Sequence, residues 1–230
     1  MKLQVIYEDN HLIAVNKPAG VLVQGDETGD RPLDDMVKEY IKIRYDKPGD
    51  VFLGVCHRID RPVSGAVIFA RTSKALERMN KLFADRQIHK TYWAIVNERP
   101  EPLEATLVHY LDKDRDKNIT KALDGASRRH PHAKRSELSY QLAGSLGNQH
   151  LLIVNPETGR PHQIRAQLAK IGCSIRGDIK YGSRTPNKDG SISLHCHAMQ
   201  FVHPVTKAEI RIEADAPPEP IWQLFNGILA

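Results

Sequence analysis

The chain has 230 residues, 40% hydrophobic and 27% charged, with a net charge of +5, which is the composition of a globular protein long enough to bury a core without staples. No apolar run reaches the roughly 18 residues of a membrane span, and the N-terminal "MKLQVIYEDNHLIAVNKPAG" is too broken by charge to be a signal peptide. Three scattered cysteines, Cys56, Cys173 and Cys196, fit a reducing compartment rather than a disulfide framework, so a cytoplasmic protein is expected.

In chain order, "LQVIYED" and "HLIAVNKP" read as short strands, closed by the turn signal Pro18-Ala19-Gly20. "RPLDDMVKEYIKIRY" has helical spacing at Leu33, Met36, Val37, Tyr40 and Ile41, with Pro32 suited to the first position. "GAVIFA" is a buried strand by its length and β-branching. "TSKALERMNKLFADRQI" is an amphipathic helix, capped by Thr72 or Ser73 and striped by Leu76, Met79, Leu82 and Phe83. "KTYWAIVN" and "ATLVHYL" are strands. From about 112 to 135, "DKDRDKNITKALDGASRRHPHAKR" is charged and poor in large apolar residues, and it reads as a long exposed basic loop. "SELSYQLAG" alternates as a half-buried strand, and "HLLIVNP" is a core strand. In "ETGRPHQIRAQLAKIGCSIRGD", Pro161 opens a helix and Gly172 ends it. Ile164, Leu168 and Ile171 form its buried stripe, leaving His162 and Arg165 on one polar face. "SISLHCHAMQFVHP" and "AEIRIEA" are closing strands before a short helical piece. There is no internal repeat, no clean linker and no regular βαβ rhythm, so the expectation is an α+β fold with a largely antiparallel sheet.

Charge is unevenly placed. Lys113 to Arg135 holds eight Lys/Arg against three Asp, and Arg160 to Lys188 holds seven against one, so the remainder of the chain is net acidic. Positive charge concentrated in two segments suits a phosphate backbone as partner, or else two solvated faces.

Three constellations could carry chemistry. In "GVCHRIDRPVSGAVIFA", Asp60 sits among Arg58, Arg61 and His57 between apolar flanks. A carboxylate there is either a structural ion pair in a turn or a desolvated, positioned nucleophile or base. Arg160, His162, Gln163 and Arg165 make a donor-rich patch at a helix start, suited to a phosphate or to a carboxylate such as Asp60, or else a solvated helix face. Tyr92, on a strand, is either core or a ring for stacking on a base. His195, Cys196 and His197 lack metal-ligand spacing, so no metal is expected, and with no Gly-rich phosphate loop or nucleophile elbow no cofactor is expected either.

The motif "HRIDRPVSG", with "KTYWAIV" downstream, "TGRPHQIRAQLAKIGCSIRGDIKYG" after it, "VIYEDNHLIAVNKPAGVLV" at the start and "LHCHAMQFVHP" at the end, resembles the RluA-type RNA pseudouridine synthases over nearly the whole chain. The resemblance implies a single catalytic domain over 1–230 without the S4-like domain of many relatives. It implies a pseudouridine-synthase-like fold whose two lobes flank a central cleft. It implies isomerisation of uridine to pseudouridine in structured RNA, rRNA or tRNA, on a flipped-out nucleotide, with neither cofactor nor metal. Asp60 would be the nucleophile, Arg165 its cationic partner, Tyr92 the ring against the uracil, and Arg58 a residue holding the nucleotide out of the stack. Ile59, Val63, Gln167 and Cys196 depart from the family's usual Leu, Thr, His and Ala. Two other readings stay open: a non-catalytic RNA-binding module that kept the fold, and a metal-dependent hydrolase built on His57, Asp60, His162 and His195. A monomer is expected, with no membrane association.

Overall fold

The structure is a computed structural model and describes residues 3–229. In chain order the first elements are β1 (Val5–Glu8), β2 (Leu12–Lys17), α1 (Leu33–Arg44), β3 (Gly54–Val55), β4 (Ser64–Ala70) and α2 (Ser73–Ala84). They continue with β5 (His89–Val96), β6 (Glu104–Asp114), β7 (Ile119–Leu123), β8 (Lys134–Leu146), β9 (Gln149–Pro156) and α3 (Gln163–Lys170). A 3₁₀ turn, Ile179–Tyr181, precedes β10 (Leu194–Val202), β11 (Glu209–Glu213) and two short helices, α4 (Pro220–Gln223) and α5 (Asn226–Leu229). The fold is α+β and mostly antiparallel. It divides into two compact units, Met1–Lys90 with Cys196–Pro217, and Thr91–His195 with Pro218–Ala230.

In the first unit the strand order is β1-β2-β4-β10, with β3 added to β4 and β11 to β10. Every residue of β4 is buried, because "SGAVIFA" offers only small, branched and aromatic side chains to both of its faces. Val67, Ile68 and Phe69 are fully enclosed, each worth about 1.5–3 kcal/mol in burial. Helix α2 lies over this layer through Ala75 and Met79. Its start is set by Thr72, whose hydroxyl accepts from the Ala75 N–H at 3.1 Å. Pro32 stands one residue earlier than expected, as the N-cap of α1. Gly65 is required where it is: φ is +118°, and a Cβ there would lie 2.3 Å from the Cys196 carbonyl oxygen.

In the second unit the order is β5-β9-β8-β6-β7. The segment expected to be one long loop is in good part a strand. β6 turns at 115–118 and returns as β7, pairing Asp114 with Ile119 through Tyr110 with Leu123. The "NITKAL" stretch supports this with β-branched Ile119 and Thr120 and an inward–outward alternation, Thr120 buried and Lys121 exposed. Only 124–133 is irregular, and His130 Nδ1 ties it to Asp112 Oδ2 at 2.7 Å.

Helix α3 also differs from expectation. It begins at Gln163, with His162 as N-cap at φ 54°, and Gln163 through Leu168 are all buried. There is therefore no polar face shared by His162 and Arg165: the first lies outside the helix and the second inside the protein.

Candidate active site

In the first unit the Asp60 segment is a pinned loop. The Val63 N–H donates to the Asp60 carbonyl at 3.0 Å, and the Gly20 N–H to the Arg61 carbonyl at 2.8 Å. The pin that sequence reading missed is Lys17, at the end of β2. It is 0% exposed, and its ammonium donates to the carbonyls of Pro18 at 3.0 Å, Val21 at 2.8 Å and Arg61 at 3.1 Å. Burial drags this amine down to about 7, with the Asp60 carboxylate pulling it back up and Arg61 adding to the fall. The signal was present: a lysine closing the apolar run "LIAVNK" cannot be buried without acceptors.

Asp60 itself is half-buried. The flanking arginines do not both turn to it. Arg61 is exposed, with Nε donating to the Gly20 carbonyl at 2.9 Å and its terminal nitrogen to Asp30 at 2.6 Å. Arg58 is exposed. His57 is a structural residue: its Nε2 accepts the Ile68 N–H at 3.0 Å, its ring lies 4.9 Å from that of Phe83, and burial holds it down at about 3. Ile59 and Val63 are buried around the carboxylate's backbone.

In the second unit the "TGRPHQIR" segment brings Arg160, His162, Gln163 and Arg165 together. Gln163 is buried and its amide is spent on the protein. Its oxygen accepts from the Thr158 hydroxyl at 2.7 Å and the Arg160 N–H at 3.0 Å, while its nitrogen donates to the Glu137 carbonyl at 3.0 Å. This closes the Thr158-Gly159 turn onto β8. Gln167 likewise anchors α3 to β6, donating to the Leu107 carbonyl at 3.1 Å beside His109 Nδ1 at 3.1 Å, so its departure from the usual histidine concerns packing of the helix.

Arg165 is only 5% exposed. Asp178 holds it in a bidentate pair, Nε to Oδ2 at 2.7 Å and a terminal nitrogen to Oδ1 at 2.9 Å. The guanidinium carbon lies 4.9 Å from the centre of the Tyr181 ring. The Tyr181 hydroxyl in turn accepts the Thr120 N–H at 2.8 Å and meets His162 Nδ1 at 2.7 Å. Burial raises this phenol above its ordinary value, with Thr120 and the Arg165 charge opposing, so it remains a neutral O–H. Asp178 and Tyr181 were legible only as part of the quoted motif; nothing in the local spacing marks them as partners of Arg165. Tyr92 is half-buried on β5, opposite Val154 of β9.

His195 is fully buried, its ring 5.9 Å from those of Trp93 and Trp222. Among the described residues no group of three or more His, Cys, Asp or Glu is arranged to hold a metal ion, and no helix is long and apolar enough to cross a membrane.

A carboxylate in a pinned loop, a buried arginine braced by an acid and a ring, and the motifs that carry both lie within or close to a single family match: residues 11–170 fit the model for RNA pseudouridylate synthase. The chain belongs to the RNA pseudouridylate synthase family. Two curated relatives extend that match to nearly the full chain. tRNA pseudouridine synthase C of Vibrio vulnificus (strain CMCP6) is 32% identical over 235 residues, 96% of this chain and 93% of the relative. Ribosomal large subunit pseudouridine synthase D of Zymomonas mobilis is 29% identical over 227 residues, 94% of this chain and 70% of the relative. Among solved structures, human RNA Pseudouridylate Synthase Domain Containing 4 superposes with a TM-score of 0.77 at 22% identity, over 94% of this chain and 89% of that one, a likeness of fold. As a pseudouridylate synthase the chain is an isomerase acting on RNA.

Proposed function

We propose that the chain isomerises uridine to pseudouridine in a structured tRNA or ribosomal RNA, with Asp60 as its essential carboxylate. The observation that supports this best is the Asp60 loop: a half-buried acid whose own carbonyl accepts the Val63 N–H and whose neighbour Arg61 is held through its carbonyl by the buried Lys17 ammonium, inside the segment that matches the family. That is the arrangement of a group that must stay anionic and keep its position while water is excluded.

The reaction breaks N1–C1′, turns the uracil and joins C5 to C1′; N1 gains a proton and C5 loses one, so atoms balance without any donor. Asp60 is assigned the exchange at the sugar, Arg165 the cation that serves it, and Tyr92 the ring against the uracil. The target nucleotide leaves its stack at a cost of a few kcal/mol, and phosphate contacts offset that cost. Exposed Arg58, half-buried Arg160 and His162, and the exposed cations of 113–135 are assigned to RNA. Gln163 is assigned to shaping the turn that presents them, because its amide is already committed. The choice of tRNA or ribosomal RNA as substrate classes rests on the names of the two relatives.

Asp60→Asn is expected to abolish pseudouridine formation in cellular tRNA and rRNA while leaving RNA affinity within a few-fold. Wild-type product levels in that variant would overturn the assignment. Mapping pseudouridines with and without the gene names the target.

A further inference from the structure

The basic hairpin and the buried arginine are joined at several points, all within the second unit. β7 is an edge strand, so its outward N–H groups have no neighbouring strand to bond. The Thr120 N–H instead donates to the Tyr181 hydroxyl at 2.8 Å, and the Thr120 hydroxyl donates to the Pro161 carbonyl at 3.0 Å. Lys170 of α3 pairs with Asp124 at 2.9 Å, just beyond the end of β7, and the Lys180 ammonium reaches the Asn118 carbonyl at 3.4 Å. The same Tyr181 ring supports the Arg165 guanidinium at 4.9 Å, and its hydroxyl fixes His162 at the start of α3. One side chain therefore touches the hairpin backbone, the helix start and the buried cation together.

We propose that Tyr181 is a positioning residue that couples the β6–β7 hairpin to Arg165, so that RNA gripped by the hairpin's exposed cations holds the arginine in its working place. This rests on the isomerase reading above. The hairpin's charges Arg115, Lys117 and Lys121 point to solvent, while Thr120 between them is 3% exposed and faces Tyr181. A strand whose exposed cations meet phosphate and whose Thr120 N–H is bonded to the arginine's support transmits any displacement of one to the other. Of the Tyr181 side chain, the hydroxyl makes the bond to the hairpin and the ring alone still stacks on the guanidinium.

The test is a cycle of variants. Tyr181→Phe keeps the ring and removes the link. It is expected to lower kcat by about 10- to 100-fold, the scale of a misplaced catalytic group, with RNA Kd raised by no more than the few-fold that loosening His162 would cost. Arg115→Ala with Lys117→Ala is expected to lower both affinity and kcat in the wild-type background, but affinity alone in the Tyr181→Phe background. Additive effects on kcat, or a Tyr181→Phe enzyme with wild-type kcat, would overturn the coupling. Thr120→Ala, which cuts only the bond to Pro161, is the milder second variant, expected to lower kcat in the same direction by less. Independently of turnover, hydrogen exchange at the Thr120 amide is expected to quicken in Tyr181→Phe while the amides of β8 and β9 keep their protection; unchanged exchange at Thr120 would overturn the link itself. A wild-type protein that forms no pseudouridine but shows the exchange effect would fail the isomerase reading and leave the link standing.

Discussion

Lys17 has no access to solvent and three carbonyls around its ammonium, and burial brings its pKa to about 7 against about 10.4 for an unfolded lysine. Between those values the unfolded chain holds a proton that the folded chain has released, so folding stability rises with pH from about 7 to about 10. Below about 7 both states are charged and the full cost of burying the ammonium remains. Denaturant midpoints measured at pH 6, 7.5 and 9 are expected to climb more steeply for wild type than for Lys17→Met, which cannot titrate. The variant is also expected to be less stable throughout, because it strands the carbonyls of Pro18, Val21 and Arg61 at about 1–3 kcal/mol for each buried group left unpartnered. Parallel pH profiles would show that the carbonyls keep the ammonium protonated. His57 has the same sign in another window: held at about 3 in the fold against about 6.5 unfolded, it contributes stability above pH 6.5 that is lost as pH falls toward 3. A variant without a titrating group there, His57→Gln, is expected to lose less of its stability on acidification, as read by the same midpoints.

Gly65 and Thr72 show how differently two small residues support their elements. Gly65→Ala puts a methyl 2.3 Å from the Cys196 carbonyl oxygen at φ +118°, so both steric overlap and backbone strain act, and overpacking alone costs about 1–3 kcal/mol. Thr72→Ala removes one cap bond from α2, worth about 1 kcal/mol. Urea unfolding is expected to rank Gly65→Ala as the more damaging; the reverse order would mean that β4 and β10 can part at that point without loss. Elements like these were legible because their signals are local: β-branched runs for β2, β4, β5 and β9, and a cap followed by a stripe for α2. The return strand β7 was not, because its five residues, with Lys121 exposed between Ile119 and Leu123, sit between the charges of 113–117 and 124–135 and are too few to carry a readable alternation. The polar face assigned to α3 failed for a different reason. Spacing placed Arg165 beside His162, but its partner Asp178 lies 13 residues further on, and that pairing, invisible to local periodicity, lets the helix bury its charged residue. Asp60 was singled out through its motif, whereas Lys17, 43 positions upstream, meets its carboxylate's charge only in the fold.

Across the molecule, both basic segments fall in the second unit, which carries 16 Lys/Arg against 12 Asp/Glu, while the first is close to neutral with 17 against 16. The segment 113–135 exposes Arg115, Lys117, Lys121, Arg128, Arg129, Lys134 and Arg135, and a phosphate chain laid along it would displace condensed counterions at each contact. RNA affinity should therefore fall linearly with the logarithm of salt concentration, with a slope near 0.7–0.9 for every phosphate engaged. Charge reversal at Lys121, Arg128 and Arg129 is expected to flatten that slope by about 2 or more, at roughly one contact per cation. Reversal of the exposed Lys74 on α2 is expected to leave it unchanged. The comparison is between slopes rather than single affinities, because a variant that merely loosened the hairpin would weaken binding at every salt concentration without changing the number of ions released. An equal flattening from Lys74→Glu would place the electrostatic contact on the first unit and remove the basic segments from RNA recognition.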